Sequence, residues 1–315
     1  MISSISLTQI EYVLALEKEG SFSKAAHTCY VTQSTLSTMI KKTENQLGLQ
    51  IFDRKSKPIR LTDEGQLIIH QLRVIYQEYE NLEELIQKTK KDYNGTFRIG
   101  IIPTIAPFLL PLFLDKLISQ YPGVQFSIDE ITTNEIINRI KLRNLDIGII
   151  SLPATEKEMI QKSLYLEEFL VYDASTSVKA SKKYKIKDID VNRLWLLEES
   201  HCMANQIEKI CHLREKHRTD NNLLYNSGSI LSLLELVSMN KGITLVPKLA
   251  ANRKNLIEET LLHQMADPVP VREIGVIMHS NFTKKRILEV LEAEIKQAVK
   301  PYLKATKKVT IIKPF

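Results

Sequence analysis

Residues 20–48 read GSFSKAAHTCYVTQSTLSTMIKKTENQLG, and the breaks in this stretch decide the fold of the N-terminal part. Gly20 ends an amphipathic segment in which Leu7, Ile10, Val13 and Leu14 share one face, with Glu11, Glu17 and Lys18 on the wet side. Ser21 is placed to cap a short helix containing Ala25 and Ala26, residues small enough to let another helix cross closely. Val31-Thr32 breaks that helix, and a third predicted helix runs from about Gln33 to Leu47 and closes at Gly48. Two short helices, a brief turn and a longer helix make a helix-turn-helix.

The chemistry of the third helix is uneven along its length. Gln33, Ser34, Thr35, Ser37 and Thr38 crowd its N-terminal half, where such side chains reach base edges or phosphates, and Lys41 and Lys42 follow at positions suited to phosphates. Beyond Gly48, residues 49–60 read as two short extended pieces around a basic turn, a wing that would lay Arg54, Lys55 and Arg60 on a DNA backbone. A small helical domain with an incidentally polar helix is the competing reading. Polar residues gathered at one end of the helix, rather than along one face, favour double-stranded DNA as the partner. Charge agrees: the chain is +6 overall, residues 21–62 carry seven basic and two acidic side chains, and residues 295–315 carry six Lys and no acid. The rest is mildly acidic, the pattern of a nucleic-acid module joined to something else.

Thr62 is a natural N-cap with Asp63 and Glu64 behind it. Ile68, Leu72, Ile75, Tyr79, Leu82 and Ile86 then recur at alternating spacings of four and three, a heptad seam. The seam fits either a core helix or pairing with a second copy. Its length and polar flanks favour pairing, which would set the spacing of two DNA-reading modules.

From Thr96 the pattern changes to short β-rich runs (97–102, 125–130, 146–150, 168–172, 194–197, 242–246 and 273–278) alternating with helical stretches. That order predicts an α/β fold with mainly parallel sheets and two subdomains around a cleft. Ligands in such folds bind beyond the carboxyl ends of strands. Two segments fall there: Pro103-Thr104-Ile105-Ala106-Pro107 and Glu198-Glu199-Ser200-His201-Cys202.

Several function classes drop out. The 315 residues hold only ten Gly, with no GxGxxG or GxxxxGK[ST], so dinucleotide and P-loop chemistry have no support. The longest uncharged apolar run, 99–114, is broken by Pro103, Pro107 and Pro111 and is too short to span a bilayer, so no membrane partner is expected. Residues 1–20, with three Glu and an isolated Lys18, do not read as a signal peptide. Three cysteines, Cys29, Cys202 and Cys211, cannot build a disulfide framework and suit a reducing cytoplasm.

Cys202 and Cys211 are nine residues apart on a segment that reads as a helix capped by Ser200. Cys202 would lie in the first turn, where open N–H groups and the helix dipole favour a thiolate. Cys211 would lie about 13.5 Å further along, beyond the ~7 Å reach of a disulfide, so a bond could form only if the segment unwound. Two plainer readings compete: both are buried small apolar residues, or they are zinc ligands with His201 and His212, a spacing that matches no common zinc site. No metal and no cofactor is expected. Cys29 reads as a packing residue, and the Lys-rich stretch from Lys296 as a solvated terminus or an extra DNA contact.

The stretches Gly20-Ser21-Phe22, Ala25-Ala26, Val31-Thr32-Gln33-Ser34, Leu36-Ser37, Ile40, Glu44, Leu47-Gly48, Phe52-Asp53-Arg54 and Leu61-Thr62-Asp63-Glu64-Gly65 resemble the LysR-type transcriptional regulators. Ser34 stands where that family usually has Pro. The resemblance narrows to the peroxide-sensing OxyR-type subfamily through Ile102-Pro103-Thr104, Pro107-Phe108-Leu109-Leu110-Pro111, Leu197-Glu198-Glu199, His201-Cys202, Cys211, Gly242-Ile243-Thr244-Leu245-Val246-Pro247 and Arg272. It implies a winged helix-turn-helix (α+β) over 1–62, a linker and dimerisation helix over 63–92 and a redox-sensing effector domain over 95–300. That domain would have the α/β fold of periplasmic binding proteins, with subdomain I at about 95–166 and 268–300, subdomain II at about 167–267, and a Lys-rich tail over 301–315.

Functionally, the resemblance implies that hydrogen peroxide oxidises Cys202 to a sulfenic acid and that Cys211 resolves it as a disulfide, with Thr104, Thr133, His201 and Arg272 binding or activating the peroxide. Ser200 replaces a common Gly, and Ala204-Asn205 replaces a common Arg-Asp pair. Implied partners are DNA, a second copy through the linker helix and a homotetramer, RNA polymerase, and reductants of the glutaredoxin or thioredoxin type. Peroxide is consumed stoichiometrically, so no enzyme is expected. Two alternatives stay open: a LysR-type regulator of a small organic effector, and a thiol peroxidase.

Overall fold

The structure, a computed structural model, describes residues 4–87, 95–154, 156, 159–175, 183–197, 202–211, 229–252, 258–303 and 308–314. The chain divides into two compact units, Met1–Asp92 and Tyr93–Phe315.

In the first unit, α1 (Leu7–Glu19) starts on Ser6, whose hydroxyl accepts from the Gln9 N–H while the Gln9 side chain accepts from the Ser6 N–H. α2 (Phe22–Thr28) and α3 (Gln33–Leu47) follow, with Thr32 capping α3 through the Thr35 N–H. Gly20 and Gly48 end α1 and α3 in left-handed backbone, φ 58° and 72°, which explains why the sequence places glycine at both stops. β1 (Phe52–Asp53) and β2 (Arg60–Leu61) pair antiparallel as the wing. α4 (Asp63–Gln87) begins where the Thr62 hydroxyl accepts from the Gly65 N–H at 2.9 Å. Val13, Leu16, Leu36, Ile40, Ile51 and Phe52 form the core, and Ile69 and Leu72 of α4 complete it. The expected seam therefore divides: Leu72 is buried in its own unit, whereas Ile75 and Leu82 are 40% and 54% exposed and share a face with Leu67, 81% exposed. The Ile86 side chain and residues 88–92 of the expected linker lie outside the described residues.

The second unit is built on a curled mixed sheet. In chain order its elements are β3 (Gly95–Ile101), α5 (Ala106–Gln120), β4 (Val124–Glu130), α6 (Thr133–Lys141), β5 (Ile147–Leu152) and β6 (Met159–Asp173). α7 (Cys202–Cys211), α8 (Ile230–Met239), β7 (Ile243–Pro247), β8 (Leu262–Gln264), β9 (Val269–His279), α9 (Lys285–Val299) and β10 (Val309–Ile311) complete it. The strand order is β4-β3-β5-β9-β6-β7, with β8 on β6 and β10 on β9. β6 pairs with β9 as far as Glu168 and with β7 from Phe169, so these two long strands carry the chain between lobes.

The sequence reading needs three corrections here. The sheet is not mainly parallel: β3 lies parallel to β4 and β5, but β9 pairs antiparallel with β5 and β6, and β6 pairs antiparallel with β7. β6 is fifteen residues long rather than confined to 168–172; polar Gln161 and Lys162 and a register irregularity between Ser163 and Tyr165 disguise its first half. Gly275 sits opposite that irregularity, where an added Cβ would fall 2.4 Å from the Lys162 carbonyl oxygen. Residues 194–197 make no ladder strand; Leu194 forms a single bridge to Ile243.

Candidate functional site

Two groups of residues are candidates for function, one exposed and one buried. In the first unit, Gln33, Ser34, Thr35, Thr38, Lys41 and Lys42 are exposed on α3 and Ser37 is half-buried, while Leu36 and Ile40 turn inward. The inward pair anchors the helix and leaves the polar residues to face outward. A surface depression lined by Thr38, Lys41, Lys42, Asn45 and Gln46 continues the same face, so Asn45 joins the candidate contacts; the 38, 41, 45 helical spacing is the signal that could have found it. Lys55 and Arg60 are exposed on the wing. Arg54 is exposed as well and is also tied to its own unit. Its guanidinium meets Glu44 at 2.7 Å and lies 5.7 Å from the centre of the Phe22 ring, while Glu44 also accepts from the Ile51 and Phe52 N–H groups. Arg54 fixes the wing to α3.

In the second unit, Cys202 touches Thr133 and feels the charge of Arg272, which belongs to a buried network with Thr104 and Glu167. Thr133 opens α6 just beyond the carboxyl end of β4, and its Oγ1 lies 3.0 Å from Cys202 Sγ. Thr104 follows β3; its hydroxyl accepts from Arg272 Nη1 at 3.1 Å and its carbonyl from Nη2 at 3.1 Å. Arg272 on β9 is in turn held by Glu167, its cross-strand partner on β6, at 2.8 and 3.0 Å. Glu167 accepts a further bond from the Leu249 N–H at 2.9 Å. Every member is enclosed: Cys202 is 4% exposed, Thr133 3%, and Thr104, Arg272 and Glu167 1% each. His201, Ser200, Glu198 and Glu199 lie outside the described residues.

Burial pushes the Cys202 thiol up from its ordinary value; the Thr133 hydroxyl, a backbone N–H and the Arg272 charge pull it down without cancelling that effect. Burial therefore opposes the thiolate that the helix start was expected to favour. Sequence reasoning missed Glu167, because a buried counter-ion 105 residues from its arginine leaves no local pattern. It also missed Tyr165, whose hydroxyl is buried without a hydrogen-bond partner among the described residues.

None of the three cysteines is in a disulfide. Cys202 and Cys211 are the first and last residues of α7, and both are buried. Nine residues of helix separate their Cα atoms by about 13.5 Å, so pairing requires the helix to open. Among the described residues no cluster of three or more His, Cys, Asp or Glu could hold a metal ion, and no helix is long and apolar enough to cross a membrane.

Residues 7–66 match the family of bacterial regulatory helix-turn-helix proteins, lysR family, and residues 90–300 match the LysR substrate binding domain. The chain is 32% identical over 273 residues to the HTH-type transcriptional regulator EstR of Acinetobacter baylyi, covering 86% of this chain and 90% of that protein. It is 27% identical over 274 residues to the DNA-binding transcriptional dual regulator OxyR of Escherichia coli, covering 87% and 89%. Among solved structures it is similar to a full-length OxyR variant from Pseudomonas aeruginosa, with a TM-score of 0.78 and 28% identity over 93% of this chain and 98% of that one. The fold is therefore an N-terminal helix-turn-helix joined to a two-lobed, periplasmic-binding-protein-like body.

Proposed function

The chain belongs to the LysR family of bacterial regulatory helix-turn-helix proteins, and from that premise we propose that it is a transcription regulator of the OxyR type, switched by hydrogen peroxide through Cys202 and Cys211. The observation that carries this reading is the 3.0 Å contact between Thr133 Oγ1 and Cys202 Sγ inside an enclosed polar cluster, at one end of a helix whose other end is Cys211.

A thiol with an ordinary pKa of ~8.5 is roughly 7% ionised near neutral pH, so complete ionisation raises its reactivity only about 10- to 15-fold. Cys202 is less ionised still. Its rate must come from groups that act as peroxide reacts. Thr133 lies against the sulfur, where its hydroxyl can donate to the departing oxygen once the thiol proton has left to solvent. Thr104, clamped by Arg272, supplies a second fixed dipole, a kind of stabilisation worth a few kcal/mol in comparable sites. The Cys202 sulfur attacks one peroxide oxygen, the O–O bond breaks, the leaving oxygen takes the proton to become water, and Cys202 becomes a sulfenic acid. The Cys211 sulfur then displaces a second water and forms the disulfide. A cellular thiol reductant of the glutaredoxin or thioredoxin type returns both thiols.

Opening α7 changes how effector domains meet and so the spacing of DNA-reading pairs on double-stranded DNA, with RNA polymerase reading the outcome in the cytoplasm. α4 pairs the chain with a second copy, and effector contacts complete a homotetramer. In the test, Cys202→Ser keeps DNA affinity and loses the peroxide-dependent change in footprint; a Cys202→Ser protein that still switches overturns the assignment. The match of residues 90–300 to the LysR substrate binding domain supports a second reading, a regulator that binds a small organic effector in its cleft. Intact mass after a brief peroxide dose separates the two, because only the disulfide reading loses about 2 Da.

A further inference from the structure

Residues 308–314, KVTIIKP, do not behave as a solvated end of a Lys-rich tail. Val309-Thr310-Ile311 is a β-branched run and forms β10, parallel to β9, with Val309 opposite Val269 and Ile311 opposite Val271. The Val269 N–H donates to the Lys308 carbonyl at 3.0 Å, and the Ile312 N–H to the Val271 carbonyl at 2.8 Å. Ile312 packs against the core and Pro314 is buried. Val271 immediately precedes Arg272, so β10 braces the strand end that holds Thr104.

The same segment grips α7. Gln206 Nε2 donates to the Ile312 carbonyl at 2.6 Å and to Ser151 Oγ at 3.2 Å, and Lys209 Nζ donates to the Lys313 carbonyl at 3.2 Å. Gln206 and Lys209 are three residues apart, on one side of the helix, and both lie between the two cysteines. Gln206 is fully buried and its Oε1 has no partner among the described residues, so its amide is held through its donors alone.

We propose that residues 308–314 are a strap that holds α7 in the helical form in which Cys202 and Cys211 are apart, and that closing the disulfide releases this strap. The proposal rests on the disulfide reading above. Bringing the cysteines from about 13.5 Å to bonding range displaces every residue between them, so Gln206 and Lys209 leave the Ile312 and Lys313 carbonyls. The coupling is reciprocal: a docked tail opposes the disulfide, and a closed disulfide opposes docking. Overall, two thiols and one peroxide give one disulfide and two waters, with peroxide as the oxidant. The tail thereby sets how oxidising the surroundings must be before the switch closes, and its release changes the surface exposed beside β9.

The test follows amide hydrogen exchange of residues 309–312 in the full chain, reduced and peroxide-treated, with intact mass recorded on the same samples. The strap account expects exchange at least about tenfold faster once the mass has fallen by about 2 Da, and no such change in Cys211→Ser. A chain ending at Lys307 and the full-length variant Ile312→Pro, which removes one ladder bond, are equilibrated against glutathione. Each should raise the oxidised-to-reduced ratio about tenfold, making the potential about 30 mV more negative. If the disulfide forms but the tail stays protected, or neither variant moves the equilibrium, the strap is overturned and the sensor reading stands. If no mass is lost, both fall together.

Discussion

Arg272 and Glu167 face each other across adjacent antiparallel strands, each 1% exposed, and are joined by hydrogen bonds of 2.8 and 3.0 Å. Matching a buried charge in this way gives the arginine a fixed position from which to clamp Thr104, and leaves only part of its charge to act on Cys202. Glu167→Gln should unmask that charge. The Cys202 thiol then titrates lower, read as faster alkylation at neutral pH, while the protein loses about 3–5 kcal/mol of stability by denaturant unfolding because the arginine is left unmatched. Unchanged alkylation would show that the pair does not govern the thiol.

Thr133→Val keeps the volume near Cys202 and removes the hydroxyl. The second-order rate with peroxide should fall about 10- to 100-fold, a loss of about 1.4–2.7 kcal/mol in barrier lowering, whereas melting temperature changes little. Trp195, the sole tryptophan, provides a fluorescence signal for the kinetics. A rate equal to wild type removes Thr133 from the chemistry.

Because burial raises the Cys202 thiol above its ordinary value, the peroxide rate should climb about tenfold per pH unit from about pH 6 to about pH 8 without levelling. The sign for stability is the reverse. A group that holds its proton more tightly when folded contributes stability that is complete below its unfolded pKa and is lost as pH rises through the folded one. Cys202→Ser should flatten that alkaline loss. A rate plateau near pH 6.5 would contradict a buried, protonated thiol.

Leu67, Ile75 and Leu82 are the exposed large aliphatic residues of α4 among the described residues. Charging two of them, as in Ile75→Glu with Leu82→Glu, should weaken self-association about 100-fold or more, since each buried aliphatic side chain contributes about 1.5–3 kcal/mol. Sedimentation velocity reads the shift to smaller species. DNA affinity should fall with it, because the paired half-sites are no longer bound together. An unchanged sedimentation profile would assign the stripe another role.

What the sequence revealed follows its short-range signals. Gly20, Thr32, Gly48 and Thr62 mark helix ends through their own backbone or hydroxyl chemistry, and the structure has helix boundaries at all four. Of the candidate thiol-site residues read from the sequence, the structure sets Thr133 against Cys202 and Arg272 against Thr104, with Cys211 at the far end of α7. Long-range effects were hidden. Glu167 is visible only once β6 lies beside β9. The strand over 309–311 has no meaning until β9 offers an edge, so the lysines around it dominated the reading. The heptad seam combined two faces of α4, because Leu72 and Ile75 satisfy the same spacing yet one fills the domain core and the other does not.

Everything distinctive in the account depends on Cys202 and Cys211 joining although one helix holds them apart. Wild-type protein exposed briefly to a stoichiometric dose of peroxide, quenched with an alkylating agent and digested without reductant, tests this most directly. The account predicts a single crosslinked product joining the Cys202 and Cys211 peptides, with Cys29 alkylated. Two alkylated peptides at full peroxide consumption, or a crosslink through Cys29, would contradict it.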